Sequence, residues 1–316
     1  MYIICGYLCV VDIMKFTWDK NTEITATDIP ELTEELIFCD EFNNIIEPNV
    51  LPDTIKSIEF GDDFNRPMKP GIFPDSLESI KFKYLFNQPI EPCVFPRFMK
   101  SIVFGGKFNQ SIGPNVLPDS LDYIDFGDGF NQVIGRNVLP NTLKNIRIWR
   151  KFNQPIGENV LPEYLENIGF GWDFNQPIED NVLPKYIRRI EFGAEYNHSI
   201  SSLYNLDYLE YILMYTNNAI EINADLLPSS LKYLFISSAD SVLSLNPRSQ
   251  RMWFSVIYSR GTHFLDVTYS IFVDSSWPFN DRYEIIGTET IDSRKYFKVI
   301  NPDFYQPRSN AKSARK

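Results

Sequence analysis

Residues 149–184, WRKFNQPIGENVLPEYLENIGFGWDFNQPIEDNVLP, carry one phrase twice. Phe152-Asn153-Gln154-Pro155-Ile156 returns as Phe174-Asn175-Gln176-Pro177-Ile178, and Val160-Leu161-Pro162 as Val182-Leu183-Pro184, both at an offset of 22 residues. Stepping by the same offset reaches Phe130, Phe108, Phe86, Phe64 and Phe42 backwards and Tyr196 forwards. Asparagine follows every one of these rings, from Asn43 to Asn197. Proline stands ten residues after seven of them, at Pro52, Pro74, Pro96, Pro118, Pro140, Pro162 and Pro184. A fixed period of this length marks a repeat architecture in which each unit buries its apolar face against its neighbours. Weaker copies keep Asn21, Ile24 and Pro30 on one side and Asn217, Ile220 and Pro228 on the other. The array therefore runs from about residue 20 to about 237, with seven clear and about three degenerate repeats.

Within a repeat, apolar residues fall three, six and eight positions after the proline, as in Leu121, Ile124, Phe126 and in Leu165, Ile168, Phe170. The I-x-F step has the period of a strand with both side chains facing inward. A glycine commonly follows (Gly61, Gly105, Gly127, Gly171, Gly193), as where a strand runs into a turn. Proline fixes φ and cannot donate to a ladder, so Leu-Pro marks a corner. The expected fold is mainly β: a solenoid of about ten 22-residue coils, one short parallel strand per coil, with a β-rich C-terminal cap. The Phe column should stack along the interior by edge-to-face or offset contacts. The Asn column should form a buried ladder whose amides satisfy the backbone of adjacent turns.

The phrase L-P-x-x-L-x-x-I-x-F resembles a leucine-rich repeat. The whole unit, with its F-N-x-x-I box, resembles the FNIP repeat family of amoebae and giant viruses, over residues 20–237. The resemblance implies a non-catalytic protein-interaction module. Some family members carry an N-terminal F-box, which would imply substrate recognition for a ubiquitin ligase. Only about 19 residues precede the array, too few for a three-helix element, so that role is not expected here. The anticipated organisation is a cap over 1–19, the solenoid over 20–237, a cap or small β-rich domain over 238–305, and a disordered basic tail over 306–316.

Composition removes several classes. A net charge of −11 disfavours nucleic acid, whose phosphates call for a basic surface. The apolar start MYIICGYLCVVDIM is shorter than the roughly 20 residues a spanning helix needs and contains Asp12, so no membrane segment is expected. Cys5, Cys9, Cys39 and Cys93 form no CxxC and read as free thiols. Asn109-Gln110-Ser111 and Asn197-His198-Ser199 match the glycosylation pattern, but a glycan on a ladder Asn would disrupt the stack. The expectation is an intracellular protein, in the host cytoplasm if viral. His198 and His263, the two histidines, have no evident metal partners, and no nucleophile elbow, zincin motif or phosphate loop occurs. His198 takes the place of Gln in the F-N-Q box, and Asp62-Asp63 and Asp125/Asp128 read as turn caps on a solvated face. No enzyme activity, cofactor or metal is expected.

Function should then lie on the outer strand face. Residues five, seven and nine positions after the proline point outward and vary from coil to coil, while the inward columns barely change. Their middle gathers Tyr123, Asp125, Arg147 and Trp149, with Arg189, Tyr211 and Tyr215 further along. Trp, Tyr and Arg dominate interface energetics, so these seven are the expected contacts for a protein partner. Trp149 stands where most coils have glycine. An alternative use of such a frame is end-to-end self-assembly into a structural protein.

Overall fold

Each coil begins at its proline. The N–H three residues on donates back to the proline carbonyl, as in Leu121 to Pro118 at 3.2 Å, Leu143 to Pro140 at 3.1 Å and Ile187 to Pro184 at 3.2 Å. This tight turn aims the chain into a strand of three or four residues. A second turn, closed by Phe108 N–H on Gly105 O at 3.2 Å, returns it inward at the ring that opens the F-N box. The computed structural model describes residues 14–215 and 227–234, and the backbone of strands at 221–223, 235–236, 242–244, 253–258, 267–271, 284–291 and 294–300. The chain divides into two units between Leu165 and Glu166.

The first unit holds β1 (Lys15–Trp18), β2 (Glu35–Phe38), β3 (Ser57–Phe60), β4 (Ser79–Phe82), β5 (Ser101–Val103), β6 (Tyr123–Asp125) and β7 (Asn145–Arg147). All pair in parallel, and from β3 to β7 isoleucine stands opposite isoleucine, as at Ile58↔Ile80, Ile102↔Ile124 and Ile124↔Ile146. The second unit continues the pattern with β8 (Asn167–Gly169), β9 (Arg189–Phe192) and β10 (Tyr211–Met214). The strands β11 (Glu221–Asn223), β12 (Tyr233–Ile236) and β13 (Val242–Ser244) follow. β12 pairs in parallel with β10, and β11 with β13. Beyond the array, β14 (Trp253–Tyr258) adds in parallel to β12, and β15 (Val267–Ile271) runs antiparallel to it. β16 (Glu284–Ile291) and β17 (Arg294–Ile300) form an antiparallel pair. The helical element among the described residues is a single 3₁₀ turn, Ser201–Leu203. The parallel solenoid read from the repeat is thus the fold. The segment 1–13 of the expected N-terminal cap and the tail 306–316 lie outside the described residues.

The core contains two ring columns rather than one. The strand Phe and the F-N Phe of the same coil stack face to face, with centroids 4.0 Å apart at Phe60–Phe64, Phe82–Phe86 and Phe104–Phe108. Between coils the F-N rings lie 6.0 Å apart at Phe86–Phe108 and 6.2 Å at Phe108–Phe130, tilted by only 5° and 6°. These are parallel, offset stacks, because identical side chains on identical coils repeat one rotamer. Ile148 interrupts the strand column between Phe126 and Phe170. Tyr196 takes the ring position in the second unit, its hydroxyl donating to Ser199 O at 3.4 Å, and burial pushes its phenol well above the ordinary value of 10.0. A group whose folded pKa is raised contributes stability that is complete below the unfolded pKa and lost as pH rises above it. Urea melts from about pH 8 to about pH 11 should therefore show a steeper alkaline loss for the natural chain than for Tyr196→Phe. Equal slopes would mean that Tyr196 ionises in the folded state.

The Asn ladder exists, but its residues are half-buried or exposed, correcting the expectation of a buried ladder. Asn65, Asn87, Asn109 and Asn131 each accept, through the side-chain oxygen, the backbone N–H of the Asn one coil later at 2.8–3.0 Å. Gln88, Gln110 and Gln132 send Nε2 to the same oxygens at 2.9–3.1 Å. His198 keeps the Gln role, with Nε2 3.1 Å from Asn175 O. The rings beside the ladder, not the ladder itself, fill the interior.

A second Asn column, three residues before the proline, holds the left-handed conformation: Asn49, Asn115, Asn137, Asn159 and Asn181 have φ of 61–63°. Gly71 (φ 85°) and Cys93 (φ 67°) occupy the same place in their coils. Asn tolerates this region and Gly adopts it freely, whereas for other L-residues it costs about 1–2 kcal/mol. Cys93 is exposed and makes a poor occupant. Cys93→Asn should stabilise the fold by about 0.5–1 kcal/mol, read as a rise in Tm.

The position four residues after each proline, or its equivalent Leu206, alternates in charge without exception. It runs Glu34, Lys56, Glu78, Lys100, Asp122, Lys144 in the first unit and Glu166, Arg188, Glu210, Lys232 in the second. Neighbours pair across coils: Lys56–Glu34 at 2.9 Å, Lys100–Glu78 at 2.8 Å, Lys144–Asp122 at 3.3 Å and Lys232–Glu210 at 3.0 Å. Arg188 lies between two acids, 3.9 Å from Glu166 and 3.6 Å from Glu210. Each exposed pair contributes under about 1 kcal/mol. This edge satisfies its own charges, which leaves the outer strand columns as the variable surface.

Candidate functional site

In the first unit, β6 and β7 place Tyr123 opposite Asn145 and Asp125 opposite Arg147. Trp149 follows β7 by two residues, so alternation carries it to the face that bears Arg147. The indole Nε1–H donates to Asp125 Oδ2 at 2.7 Å, and the Arg147 guanidinium lies 4.4 Å from the Trp149 ring centroid. Tyr123 OH donates to the same Asp125 oxygen at 3.3 Å, while Gly127 N–H donates to Oδ1 at 2.9 Å. The Arg147 charge also acts on the Tyr123 phenol. The four side chains form one network.

Asp125 does not lie on a solvated face, as the sequence reading had it. It is 6% exposed, the one buried charged side chain among the described residues. The physical reason is the ring from the next coil: Trp149 replaces glycine and lies over the carboxylate instead of protruding alone. Burial pushes the Asp125 carboxyl above the ordinary carboxylate range, against the donors Trp149 and Gly127 and the charge of Arg147. Its contribution to stability is therefore greatest in acid and is lost as pH rises through the shifted pKa. Burial also raises the Tyr123 phenol, helped by the Asp125 charge. The three donors engage the carboxylate and seat Trp149 over it.

Beside this network lies a hollow of about 390 Å³. Val103 and Phe104 line it, with Gly106 and Gly127 where side chains are missing and Asp125, Asp128 and Trp149 around them. At Gly127 the bareness is enforced by backbone. A Cβ on Gly127 would come within 2.3 Å of Gly105 O, and one on Gly106 within 2.8 Å of the Tyr84 ring.

Arg189, Tyr211 and Tyr215 lie in the second unit. Arg189 stands opposite Tyr211 in register, and its Nε donates to Glu191 at 2.9 Å. The Tyr211 and Tyr233 rings lie 6.3 Å apart, and Tyr215 is 45% exposed. Among the exposed rings that escaped the sequence reading are Tyr84 at 50% and Trp172 at 56%. Both follow the glycine column by one residue and share an offset ten after the proline, so the same column arithmetic would have found them. Among the described residues no group of His, Cys, Asp and Glu could hold a metal ion, and no helix is long and apolar enough to cross a membrane.

The FNIP Repeat model matches residues 21–63, 42–85, 64–107, 86–129, 108–151, 152–195 and 174–203. The chain belongs to the FNIP repeat family. Among solved structures it is similar to CroV588, a giant-virus protein described as a novel circular LRR protein structure, at 32% identity and a TM-score of 0.62. That match covers 78% of this chain and 40% of CroV588, so this chain corresponds to less than half of that protein's length. No curated protein matches the sequence. The FNIP match and the CroV588 fold agree with the parallel coils.

Proposed function

We propose that this FNIP repeat protein is a non-catalytic scaffold that binds a protein partner on its strand face, with Trp149, Arg147 and Tyr123 as the central contact. The observation that supports it is the Trp149–Arg147 stack seated on buried Asp125. Trp, Tyr and Arg are the residues that carry binding energy. Fixing them before the partner arrives lowers the ordering cost of association. Arg189, Tyr211 and Tyr215 supply a second set of contacts in the other unit. The protein acts inside the cell, where Asn109 carries no glycan and its amide keeps its place in the ladder with Asn131 N–H and Gln132.

Trp149→Ala should weaken the natural partner by about 2 kcal/mol or more, measured by calorimetry with the protein captured from the native cell. An unchanged affinity would place the contact elsewhere. The hydrogen bond to Asp125 gives Trp149 a part in stability as well. Trp149→Ala removes a donor but also opens Asp125 to water. Trp149→Phe keeps the carboxylate covered with one donor fewer, and should cost about 1.5–3 kcal/mol in a denaturant melt.

A further inference from the structure

We infer that the hollow beside Trp149 receives an arginine side chain of the partner, an inference that rests on the strand-face reading above. Its charged lining residues are Asp125 and Asp128, both acidic. Asp125 is committed to Trp149, Gly127 and Tyr123 and contributes its field. Asp128 is exposed and enters no ion pair among the described residues, unlike the acids of the alternating column. The nearby Lys107 is turned onto the Tyr84 ring, 5.1 Å from its centroid. Val103, Phe104 and the bare glycines offer an apolar floor for a methylene stem, and Trp149 offers an indole wall. An aliphatic stem ending in a planar cation that stacks on an indole and pairs with a carboxylate describes arginine better than lysine. Arg147 already shows that this ring accepts a guanidinium. The chain's net charge of −11 favours a basic partner segment.

The test titrates the labelled protein with the peptide acetyl-Gly-Gly-Arg-Gly-Gly-amide and with its citrulline and lysine counterparts. The readouts are the Gly106 and Gly127 amide signals and the Trp149 indole signal. The arginine peptide should shift all three with a Kd in the range of about 1–10 mM, about threefold or more tighter than citrulline. Asp128→Asn, a change at an exposed turn, should remove that difference. Equal response to citrulline, no response by about 10 mM, or shifts confined to other residues would overturn the inference. If arginine binds here while Trp149→Ala leaves the natural partner's affinity unchanged, the strand-face reading fails instead. If Trp149→Ala weakens the partner but the peptide gives no shift, the reading stands and the arginine assignment falls.

Discussion

Gly105→Ala should destabilise the fold by at least about 3 kcal/mol, and the purified protein should melt far below the natural chain or fail to fold. A Cβ at this position would lie 1.2 Å from the carbonyl oxygen of Lys83 on the preceding coil. That atom is backbone just past the end of β4, so no rotamer change relieves the overlap. The coils themselves would have to separate. Gly113→Ala provides the control: its Cβ meets nothing closer than Val116 Cγ2 at 4.0 Å, so the change should stay within about 0.5 kcal/mol. Comparable melting temperatures for the two variants would show that the coils part easily at Gly105 and that close stacking does not govern stability.

The second large effect belongs to the ring stack. Phe130 is 1% exposed, 4.4 Å from Phe126 in its own coil, 6.2 Å from Phe108 and 6.0 Å from Phe152 on either side. Phe130→Ala opens a cavity bounded by three other rings, none of which can collapse into it without leaving its own stack. The expected cost is about 3–5 kcal/mol in denaturant melts. Its neighbour Asn131 is half-buried and its oxygen accepts Asn153 N–H at 2.9 Å and Gln154 Nε2 at 3.1 Å. Water can replace part of what Asn131→Ala removes, so that variant should lose only about 1–2 kcal/mol. An Asn131 loss equal to the Phe130 loss would mean that the backbone contacts of the ladder, and not the rings, hold the coils together.

The period of 22 made the fold legible because each inward column has one job, met by one residue type: Phe to stack, Ile to face Ile across strands, Pro to turn. The Asn column was visible too, but not its exposure. A spacing says that residues align, whereas accessibility depends on how far the chain bends between the ring and the ladder. The candidate site was half legible. Alternation put Tyr123, Asp125, Arg147 and Trp149 on one face, and the structure brings these four together. That Asp125 is buried beneath Trp149 depends on a side-chain rotamer reaching across a coil, which no column count encodes. The hollow was illegible for a similar reason: it is made of missing atoms on two coils, and glycine in a repeat reads first as a turn. Arg189, Tyr211 and Tyr215 were assigned by the same column argument and belong to the second unit.

The alternating column bears on how such an array changes length over generations. Removing the single coil that carries Asp122 would set Lys100 against Lys144, and every later contact along that edge would keep its sign but start from a repulsive seam. Like charges facing each other across adjacent strands are destabilising. Removing two coils instead brings Lys100 against Glu166 and restores the alternation. The FNIP matches themselves span two coils, as at residues 64–107 and 86–129. Along this edge, a duplication or deletion of 44 residues would leave the alternation coherent, and one of 22 would leave a seam of like charges.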